Sequence, residues 1–552
     1  HRAAAEALLA TAPAPAAPPL EALAAHYAQA EAWPEAQDAA AAAAERAEQG
    51  HTYREAAIHW QAAMRAAAAR GAEVPPRERG RLAERAGDAL LHLGELAEAQ
   101  RAYETALAAW MDEPPAERRA ARCRLHVRLA RIAYLLGEPD RVSSLLQVAV
   151  PGLEPSNPLL AVALSLEAQA CLLRGSYHAA AVNASRALQL ARRFGGPNEQ
   201  TEAYAALTNP ALLGEIGPRA RAYSAEWVRL ARQQGDPPQL VRALLSRVAN
   251  QLMLHAAASA ADEADAAEAL AVATELRAPA LVRTARSVLG GVQFFRGDWD
   301  GAARELSGGM GTRPEDVGMP ADFTRFVLGA LHTARGALAI GRGWFEEGLE
   351  RARFGHTAIW MGAGLARSLR LAGDVAGARA ALARAAAARA EIDCPACSVV
   401  FYALAAEERA ALDEPAAAAA AAAAAQRLAR DSGHVPARLA AHRAVARLHL
   451  AAGQPAAALA ELVPALRLSQ TVENRYERAR TEHLAGEARL ARDGPRDRAA
   501  ARDLLGRALA GFEHLGATPE ADACRAALGT LPRARAPRHL TAPGPRRLVR
   551  AV

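Results

Sequence analysis

Short glycine turns along this chain are each followed by the same pattern of small and large apolar residues. After Gly94 the apolar positions at offsets 2, 5, 9, 12 and 13 are Leu96, Ala99, Tyr103, Ala106 and Leu107. Spacings of three and four residues place these side chains on one face of a helix, with the polar positions on the other. The pattern predicts that the glycine ends one helix and that a second, amphipathic helix begins two residues later.

The same pattern recurs along the chain. Full copies begin at Gly175 and Gly453, and the first four positions recur after Gly297 and Gly373. The glycines that separate predicted helices, at intervals of roughly 40 residues or multiples of it, are Gly94, Gly137, Gly175, Gly217, Gly297, Gly343, Gly373, Gly453 and Gly494. Such a period is typical of proteins built from helical hairpins. Less regular hairpins are predicted at residues 50–60 and 494–509, and one at residues 256–271 rests on spacing alone.

The residue types explain how each hairpin packs. Glycine accepts the left-handed conformation that ends the first helix. Alanine at offset 5 lets the two helices approach closely, and the larger residue at offset 9 fills the space beside it. Each hairpin buries only one face, so it must stack on neighbours. The sequence therefore predicts an all-α fold, a tetratricopeptide-like α-solenoid that forms a right-handed superhelix of about a dozen helical hairpins.

Proline-rich breaks suggest how the array is divided, because a proline disfavours continuation of the preceding helix. Residues 1–70 are predicted to form N-terminal hairpins that join an upstream module missing from this chain. Residues 71–310 carry tetratricopeptide-like repeats, and residues 311–530 continue them after a break rich in glycine and proline. Residues 531–552 are predicted to be a basic, disordered tail.

Composition supports this class of fold. Hydrophobic residues make up 51% of the chain but aromatic residues only 5%, and much of the apolar content is alanine. Alanine is the best helix former and lets helices pack closely. The chain has no long alternation of apolar and polar β-branched residues, which a strand would require.

The charge pattern excludes several functions. The chain has no lysine, so all 66 of its Lys and Arg residues are arginine, and a P-loop or a Schiff-base lysine cannot be present. Six arginines of residues 531–552 account for the net charge of +6, which leaves 60 arginines against 60 acids in the body. A neutral body argues against nucleic-acid binding by the solenoid, since that needs a basic face.

Cysteine content and hydropathy indicate the compartment. Five cysteines are too few and too scattered for a disulfide framework in 552 residues. The sequence shows neither a signal peptide nor an uncharged apolar run of about 18 residues. These features predict a cytoplasmic protein that does not contact the membrane.

One motif could bind a metal or undergo redox chemistry. Cys394 and Cys397 form a C-x-x-C pair, which could be half of a zinc site or a dithiol. A structural zinc site needs two more ligands, and the sequence has no second C-x-x-C and no Cys/His pair at comparable spacing. We therefore interpret the two cysteines as small residues at a helix start, and we predict no metal site and no cofactor.

Other short motifs do not indicate an enzyme. Asp262-Glu263-Ala264-Asp265 matches a helicase motif, but the lysine needed for phosphate binding is absent. Gly341-Arg342-Gly343 and Gly362-Ala363-Gly364 lack the third glycine of a dinucleotide loop and follow predicted helices. The sequence has no G-x-S-x-G and no H-E-x-x-H motif. No catalytic residue is predicted, and the chain is expected not to be an enzyme.

Both ends of the chain resemble a known family. The N-terminal stretch contains His1-Arg2, Ala5-Glu6-Ala7-Leu8, Leu23-Ala24-Ala25-His26-Tyr27 and Trp33-Pro34-Glu35-Ala36. The C-terminal repeat contains Asp503-Leu504-Leu505, Ala508-Leu509, Phe512, Leu515-Gly516-Ala517 and Ala521. These stretches resemble the tetratricopeptide arm of large bacterial signal-transduction ATPases, the LuxR-type and MalT-like transcriptional regulators.

The resemblance implies a regulatory arm that senses a partner or an effector and is covalently attached to ATPase or output domains absent from this chain. His539-Leu540-Thr541 is faintly similar to the start of a LuxR helix-turn-helix. The match ends at Ala542-Pro543-Gly544-Pro545, so a DNA-binding domain is not assigned to these residues. The alternative is a free-standing tetratricopeptide scaffold that assembles protein complexes.

The concave groove is the predicted binding surface, because the first helix of each pair lines it in such solenoids. Arginine and aromatic side chains there would anchor a protein or peptide partner, or a small effector. By repeat register the candidates are Arg128, Arg131, Tyr134, Arg247, Asn250, Arg325, His332 and Arg335. Each of these positions also fits an ordinary solvated helix face.

Overall fold

A computed structural model describes residues 1–11, 19–209, 219–255, 257–310, 319–352, 355–392 and 394–531. Within these residues the chain forms 27 α-helices and no strand, which confirms the predicted all-α class. None of the described helices is both long enough and apolar enough to cross a membrane.

The helices follow one another with short connections. In chain order they are α1 (Arg2–Thr11), α2 (Leu20–Gln29), α3 (Trp33–Gln49), α4 (Tyr53–Arg70), α5 (Pro76–Leu93), α6 (Leu96–Trp110), α7 (Pro115–Leu135), α8 (Pro139–Ala149), α9 (Leu159–Leu173), α10 (Tyr177–Phe194), α11 (Pro197–Leu207), α12 (Arg219–Gln234), α13 (Pro237–His255), α14 (Ala260–Glu275), α15 (Pro279–Arg296), α16 (Trp299–Gly309), α17 (Met319–Ala334), α18 (Leu338–Arg351), α19 (Gly355–Leu371), α20 (Val375–Glu391), α21 (Pro395–Ala411), α22 (Pro415–Ser432), α23 (Val435–Ala451), α24 (Pro455–Ser469), α25 (Arg475–Arg492), α26 (Asp497–Leu515) and α27 (Thr518–Gly529). Two 3₁₀-helices cover Gly71–Glu73 and Val150–Gly152.

These helices form a tetratricopeptide-like α-solenoid. Each odd-numbered helix packs against the even-numbered helix after it, which pairs 26 of the 27 described helices into 13 hairpins and leaves α27 at the end. The first helices of successive hairpins also pack on one another, as in α19 on α21 and α21 on α23. The first helices therefore form the inner layer of the solenoid. The predicted number of about a dozen hairpins is confirmed.

The glycine turns lie where the repeat pattern places them. Helices α6, α10, α16, α20 and α24 begin two residues after the predicted glycines. Those five glycines have positive φ angles of 78°, 76°, 94°, 86° and 69° in chain order: Gly94, Gly175, Gly297, Gly373 and Gly453. The alanines at offset 5 are fully buried: Ala99, Ala180, Ala302, Ala378 and Ala458. Close helix approach at alanine therefore holds each hairpin together.

Two of the nine predicted turn glycines do not end a helix in the left-handed conformation. Gly343 lies inside α18, and the preceding turn is made by Gly336, whose φ is 82°. At the end of α25 the left-handed residue is Asp493 (φ 48°), directly before Gly494. Aspartate adopts this conformation more readily than most residues because its short polar side chain can bond locally. A third predicted turn, at Gly217, lies outside the described residues.

The break predicted after residue 310 and most of the predicted tail lie outside the described residues, in the segments 311–318 and 532–552. On either side of residues 311–318 the inner layer continues, because α15 and α16 both pack against α17. The division of the array at residue 310 and the basic tail stay predictions.

Successive turns of the superhelix touch every five hairpins. Helix α15 contacts α25, and α17 contacts α27. The hairpin turns also pack closely against the neighbouring superhelical turn. A Cβ built on Gly297 would lie 3.2 Å from Leu515, and one built on Gly94 would lie 3.2 Å from Ala280. Each of these contacts joins hairpins five apart in the array. A turn this short leaves a narrow lumen between the inner helices.

Candidate functional site

The lumen contains a cavity of about 210 Å³ between the inner helices α13 to α25. Eight aromatic side chains line it: Phe294, Phe295, Trp299, Phe323, Phe326, Phe345, Trp360 and Tyr476. The whole chain has 7 Trp, 9 Tyr and 9 Phe, 25 in all, so about a third of its aromatic residues surround this cavity. Such a concentration in an alanine-rich protein marks the cavity as the candidate functional site.

Several of the aromatic rings pack edge to face, a geometry that aromatic quadrupoles favour, whereas Phe294 and Trp299 are stacked at an interplanar angle of 12°. The ring centroids of Phe326 and Trp360 are 5.1 Å apart at 82°, and those of Trp299 and Tyr476 are 5.2 Å apart at 61°. Phe345 reaches the inner layer from α18 because Gly329 and Gly364 leave space for its ring. A Cβ at either glycine would lie 2.7 Å or 2.5 Å from that ring.

The other wall of the cavity carries paired charges. Arg443, only 1% exposed, donates to Glu407 at 2.8 Å and to Glu477 at 2.6 Å. Arg480 forms ion pairs with the same two carboxylates, at 2.9 Å to Glu407 and 3.2 Å to Glu477. The four side chains lie on three consecutive inner helices, α21, α23 and α25. They form a network in which two guanidinium groups balance two carboxylates.

The charged network is ionised at neutral pH. Burial by itself raises the pKa of Glu407, but the guanidinium groups of Arg443 and Arg480 outweigh it and hold that pKa well below its usual range. The pKa of Glu477 is lowered by the same two arginines against the same effect of burial. Because the buried charges compensate one another, the wall is polar but close to neutral.

A second set of polar contacts lies beside the cavity. Arg367 of α19 donates to Glu520 of α27 at 2.7 Å and to the hydroxyl of Tyr476 at 2.6 Å. The Tyr476 hydroxyl donates to Glu520 at 2.7 Å, and burial raises its pKa. The Tyr476–Glu520 bond joins the neighbouring inner helices α25 and α27, and Arg367 reaches both from α19, three and four hairpins earlier in the array. Arg367 and Tyr476 both line the cavity, so these bonds lie at its wall.

One arginine of the lumen is not part of these networks. Arg447 lies one helical turn after Arg443. Its side chain is exposed, but many protein atoms lie around it. Loss of bulk water lowers its pKa, and the carboxylates of Glu487 and Glu407 only partly offset this. Among the described residues no ion pair involves Arg447. Its guanidinium group is available to an anionic group that enters the lumen.

The three predicted groove residues on α7 lie near one another on the inner layer. Arg128 forms ion pairs with Glu84 at 2.9 Å and with Asp88 at 2.6 Å, both on α5. Arg131 forms an ion pair with Glu202 of α11 at 2.9 Å. Burial raises the pKa of Tyr134, which is close enough to Arg131 to feel its charge.

Acid should weaken the packing of α7, α11 and α13 through Glu202. Burial raises the pKa of Glu202, but Arg131 and Arg242 outweigh it and lower that pKa to about 2. A carboxyl group whose folded pKa is depressed stabilises the protein above its unfolded pKa, about 4.3, and loses this effect as pH falls toward 2. We expect Glu202→Gln to flatten the loss of stability between about pH 4.3 and pH 2. Urea unfolding at a series of pH values would measure this loss of stability, with the exposed Glu98→Gln as the matched control. The same pH dependence in Glu202→Gln and in the wild-type chain would contradict the stabilising role of ionised Glu202.

The other predicted groove residues are held by neighbours within the array. Arg247 of α13 pairs with Asp265 of α14 at 2.5 Å, and Asn250 donates to the carbonyl oxygen of Thr208. Arg325 is 1% exposed and lies 3.3 Å from Glu347 of α18. Arg335 pairs with an acid of α16, and burial lowers the pKa of the half-buried His332. None of the eight predicted residues lines the cavity, and their role in partner binding stays a prediction.

The sequence contained a signal for the cavity that residue-by-residue register missed. Most of the lining aromatics lie between residues 294 and 360, at the end of α15, the start of α16 and in the next three helices. Glu407 and Arg443 are 36 residues apart, close to one repeat. Clustering of aromatics and opposite charges one repeat apart would have indicated this wall.

The C-x-x-C pair lies beside a histidine from the preceding hairpin, which its sequence spacing did not indicate. His356 lies in the first turn of α19, Cys394 caps the N-terminus of α21, and Cys397 lies in its first turn. The Cys397 sulfur is 3.4 Å from Nδ1 of His356, and one potential ligand atom from each of the three residues falls within 4.8 Å of the others. Hydrogen bonding with Cys397, and then with His356, lowers the pKa of the Cys394 thiol. The pKa of Cys397 is raised in turn.

The helicase-like and glycine motifs have structural roles. Asp262 accepts a hydrogen bond from the backbone N–H of Ser259 at 2.8 Å in a capping box at the start of α14. Glu263 pairs with Arg296 at 2.5 Å. In α19, Gly364 makes room for the ring of Phe345. These contacts account for the motifs without nucleotide chemistry.

No family model matches the chain, and no curated protein matches its sequence. One similar solved structure is the Cut9–Hcn1 hetero-tetramer of APC/C. It is 13% identical, the match covers 89% of this chain and 96% of that chain, and the TM-score is 0.44. The apo form of the quorum sensor NprR from B. thuringiensis is 11% identical over 63% of this chain and 98% of its own, with a TM-score of 0.43. A human IFIT1 dimer with PPP-AAAA is 11% identical over 76% and 96%, with a TM-score of 0.41. Such identities and TM-scores give no basis for assigning a function.

Proposed function

We propose that this chain is a non-catalytic binding arm whose lumen takes up a small, mainly apolar effector or the apolar side chains of a protein or peptide partner. The observation that carries the proposal is the set of eight aromatic residues around one cavity in an otherwise aromatic-poor chain. Aromatic walls bind apolar groups through buried area and ring packing. The charged wall can orient the ligand through a few polar contacts.

The size of the cavity limits the ligand. An apolar cavity of about 150 Å³ is enough to bind a benzene ring. A cavity of about 210 Å³ therefore suits one or two rings, or one or two anchoring side chains of a longer partner. Arg447 adds a place for an anionic group next to the apolar part. We infer a ligand with an apolar body and at most one acidic group.

The proposed regulatory role rests on where the cavity lies. Its walls include Arg367 of α19 and Tyr476 of α25, which bond each other and Glu520 of α27 although α19 is three hairpins before α25. A ligand that binds one arrangement of these helices more tightly than another shifts the balance between the arrangements. Because the inner helices run through the whole array, such a shift would change the relative positions of its two ends.

The sequence resemblance supports the finer part of the proposal, an arm of a bacterial ATPase-type transcriptional regulator with attached ATPase or output domains. The residues of its N-terminal stretch pack into the array: Ala5 is fully buried, Leu23 is 3% exposed, and Arg2 forms an ion pair with Glu35 at 2.9 Å. A free-standing scaffold is the alternative. Sequencing the intact gene product separates the two, because only the regulator has an ATPase or DNA-binding module beside this segment.

Filling the cavity should abolish binding of an apolar probe. Ala330 lines the cavity, and Ala330→Phe would place a ring in it. We expect indole to bind the wild-type chain with one site in isothermal titration calorimetry. Binding to Ala330→Phe should be weaker by more than about tenfold, or about 1.4 kcal/mol.

Val182→Phe is the matched control, because Val182 lies on the outer helix α10 and is 52% exposed. Leu404→Trp, from another wall of the cavity, provides a second test if Ala330→Phe does not fold. Equal indole affinity in wild type, both cavity variants and the control would show that the cavity is not the binding site.

A further inference from the structure

We propose that His356, Cys394 and Cys397 form a binding site for a Zn²⁺ ion at the junction of α19 and α21. The side chains are buried, at 8%, 1% and 5% exposure respectively. One potential ligand atom from each residue lies within 4.8 Å of the other two. Two sulfur ligands and one imidazole nitrogen are a donor set that zinc prefers.

The spacing of the ligand atoms suits a tetrahedral ion. With Zn–S bonds of about 2.3 Å and Zn–N bonds of about 2.0–2.1 Å, a tetrahedral site places sulfur and nitrogen about 3.6 Å apart. The observed distance between the Cys397 sulfur and His356 Nδ1 is 3.4 Å. Small side-chain rotations would therefore bring the three ligand atoms around one ion.

Local electrostatics favours the thiolate form that a metal needs. Cys394 is the N-cap of α21, where its sulfur accepts the backbone N–H of Cys397 at 3.5 Å. The positive end of the helix dipole and such N–H groups stabilise a negative sulfur. Zinc would displace the remaining proton from Cys397.

The position of the cluster links it to the lumen and to the seam between turns. Cys397 also lines the aromatic cavity. Three protein ligands leave one tetrahedral position for water or for a donor atom of a molecule in the cavity. On the other side, the ring centroid of Tyr177 lies 6.3 Å from that of His356, and Ile392 lies 3.7 Å from a Cβ built on Gly175. The ion would therefore tie α19 to α21 next to the contact between two superhelical turns.

Metal analysis tests the site directly. We expect the reduced, purified chain to hold about one equivalent of zinc, and the zinc-free chain to bind Co²⁺ with intense tetrahedral d–d bands and thiolate-to-cobalt charge transfer. Cys394→Ser, Cys397→Ser and His356→Gln should each lose the zinc and weaken or abolish the cobalt spectrum. The cobalt titration of the wild-type chain keeps the test valid if a variant fails to fold.

Cys123→Ser is the matched control, because Cys123 is as buried as the cluster cysteines, at 3% exposure, and donates a hydrogen bond to the Ala149 carbonyl instead. It should keep the zinc and the cobalt spectrum. A reduced wild-type chain that holds no zinc and gives no charge-transfer band with Co²⁺ would overturn the proposal. So would a chain in which thiol titration shows Cys394 and Cys397 as a disulfide that, once reduced, still binds no metal.

Discussion

Replacing Arg443 with methionine is expected to lower the free energy of unfolding by about 3–5 kcal/mol, the usual cost of removing one partner of a buried ion pair. Arg443 is 1% exposed and bonds Glu407 and Glu477 at 2.8 Å and 2.6 Å. Without its guanidinium group the two buried carboxylates share only Arg480. Urea unfolding followed by circular dichroism would measure the change.

Two further variants show whether the loss comes from the unpaired carboxylate. Arg443→Met combined with Glu407→Gln removes one negative charge with the positive one, and we expect it to recover part of the stability. Arg379→Met removes a surface pair, since Arg379 is 51% exposed and lies 2.8 Å from Glu414. That change should cost less than about 1 kcal/mol. Equal losses for Arg443→Met and Arg379→Met would contradict the role of the buried network.

Phe345→Ala is expected to destabilise the chain by about 3–5 kcal/mol, because it leaves a void at the wall of the lumen. Phe345 is 1% exposed and packs between inner helices α17 and α19. Its ring occupies the space that Gly329 and Gly364 leave open. Thermal and urea unfolding of the variant measure the loss.

Adding a methyl group next to the void shows whether the loss of stability comes from packing at this position. A Cβ at Gly364 would lie 2.5 Å from the Phe345 ring, so Gly364→Ala alone should destabilise by overpacking. In the Phe345→Ala background the same methyl group has room, and we expect it to be neutral or stabilising. Val182→Ala, on the exposed outer surface, should change stability by less than about 0.5 kcal/mol. Additive losses in the double variant would contradict direct contact between the two positions.

Hairpin boundaries could be predicted closely where glycine served as a turn. The repeat after Gly94 predicted that α6 begins at Leu96 and that Ala99 and Tyr103 are buried, and both are fully buried. The prediction was wrong at Gly343, because a glycine in a helix and a glycine in a turn look alike in sequence. In the same helix, a Cβ on Gly341 would lie 2.4 Å from Thr333, which shows a glycine kept for close packing.

The candidate sites could not be predicted from spacing. His356 belongs to α19 and Cys397 to α21, and their contact depends on how two hairpins rotate against each other. Tyr476 contacts Arg367 although the two residues are 109 positions apart in the chain and three hairpins apart in the array. Register along one hairpin carries no information about such contacts, so it selected arginines of the inner layer such as Arg325, which is enclosed.

Helix periodicity, glycine turns and buried alanines are local properties, and a single sequence contained enough of each to specify the hairpins and their order. The closure of the superhelix after five hairpins is not local. It is the sum of small rotations between neighbouring hairpins, each set by the fit of many side chains. The aromatic cavity, the Arg443 network and the His356–Cys394–Cys397 cluster all result from that closure or from packing between hairpins, and they became visible only in three dimensions.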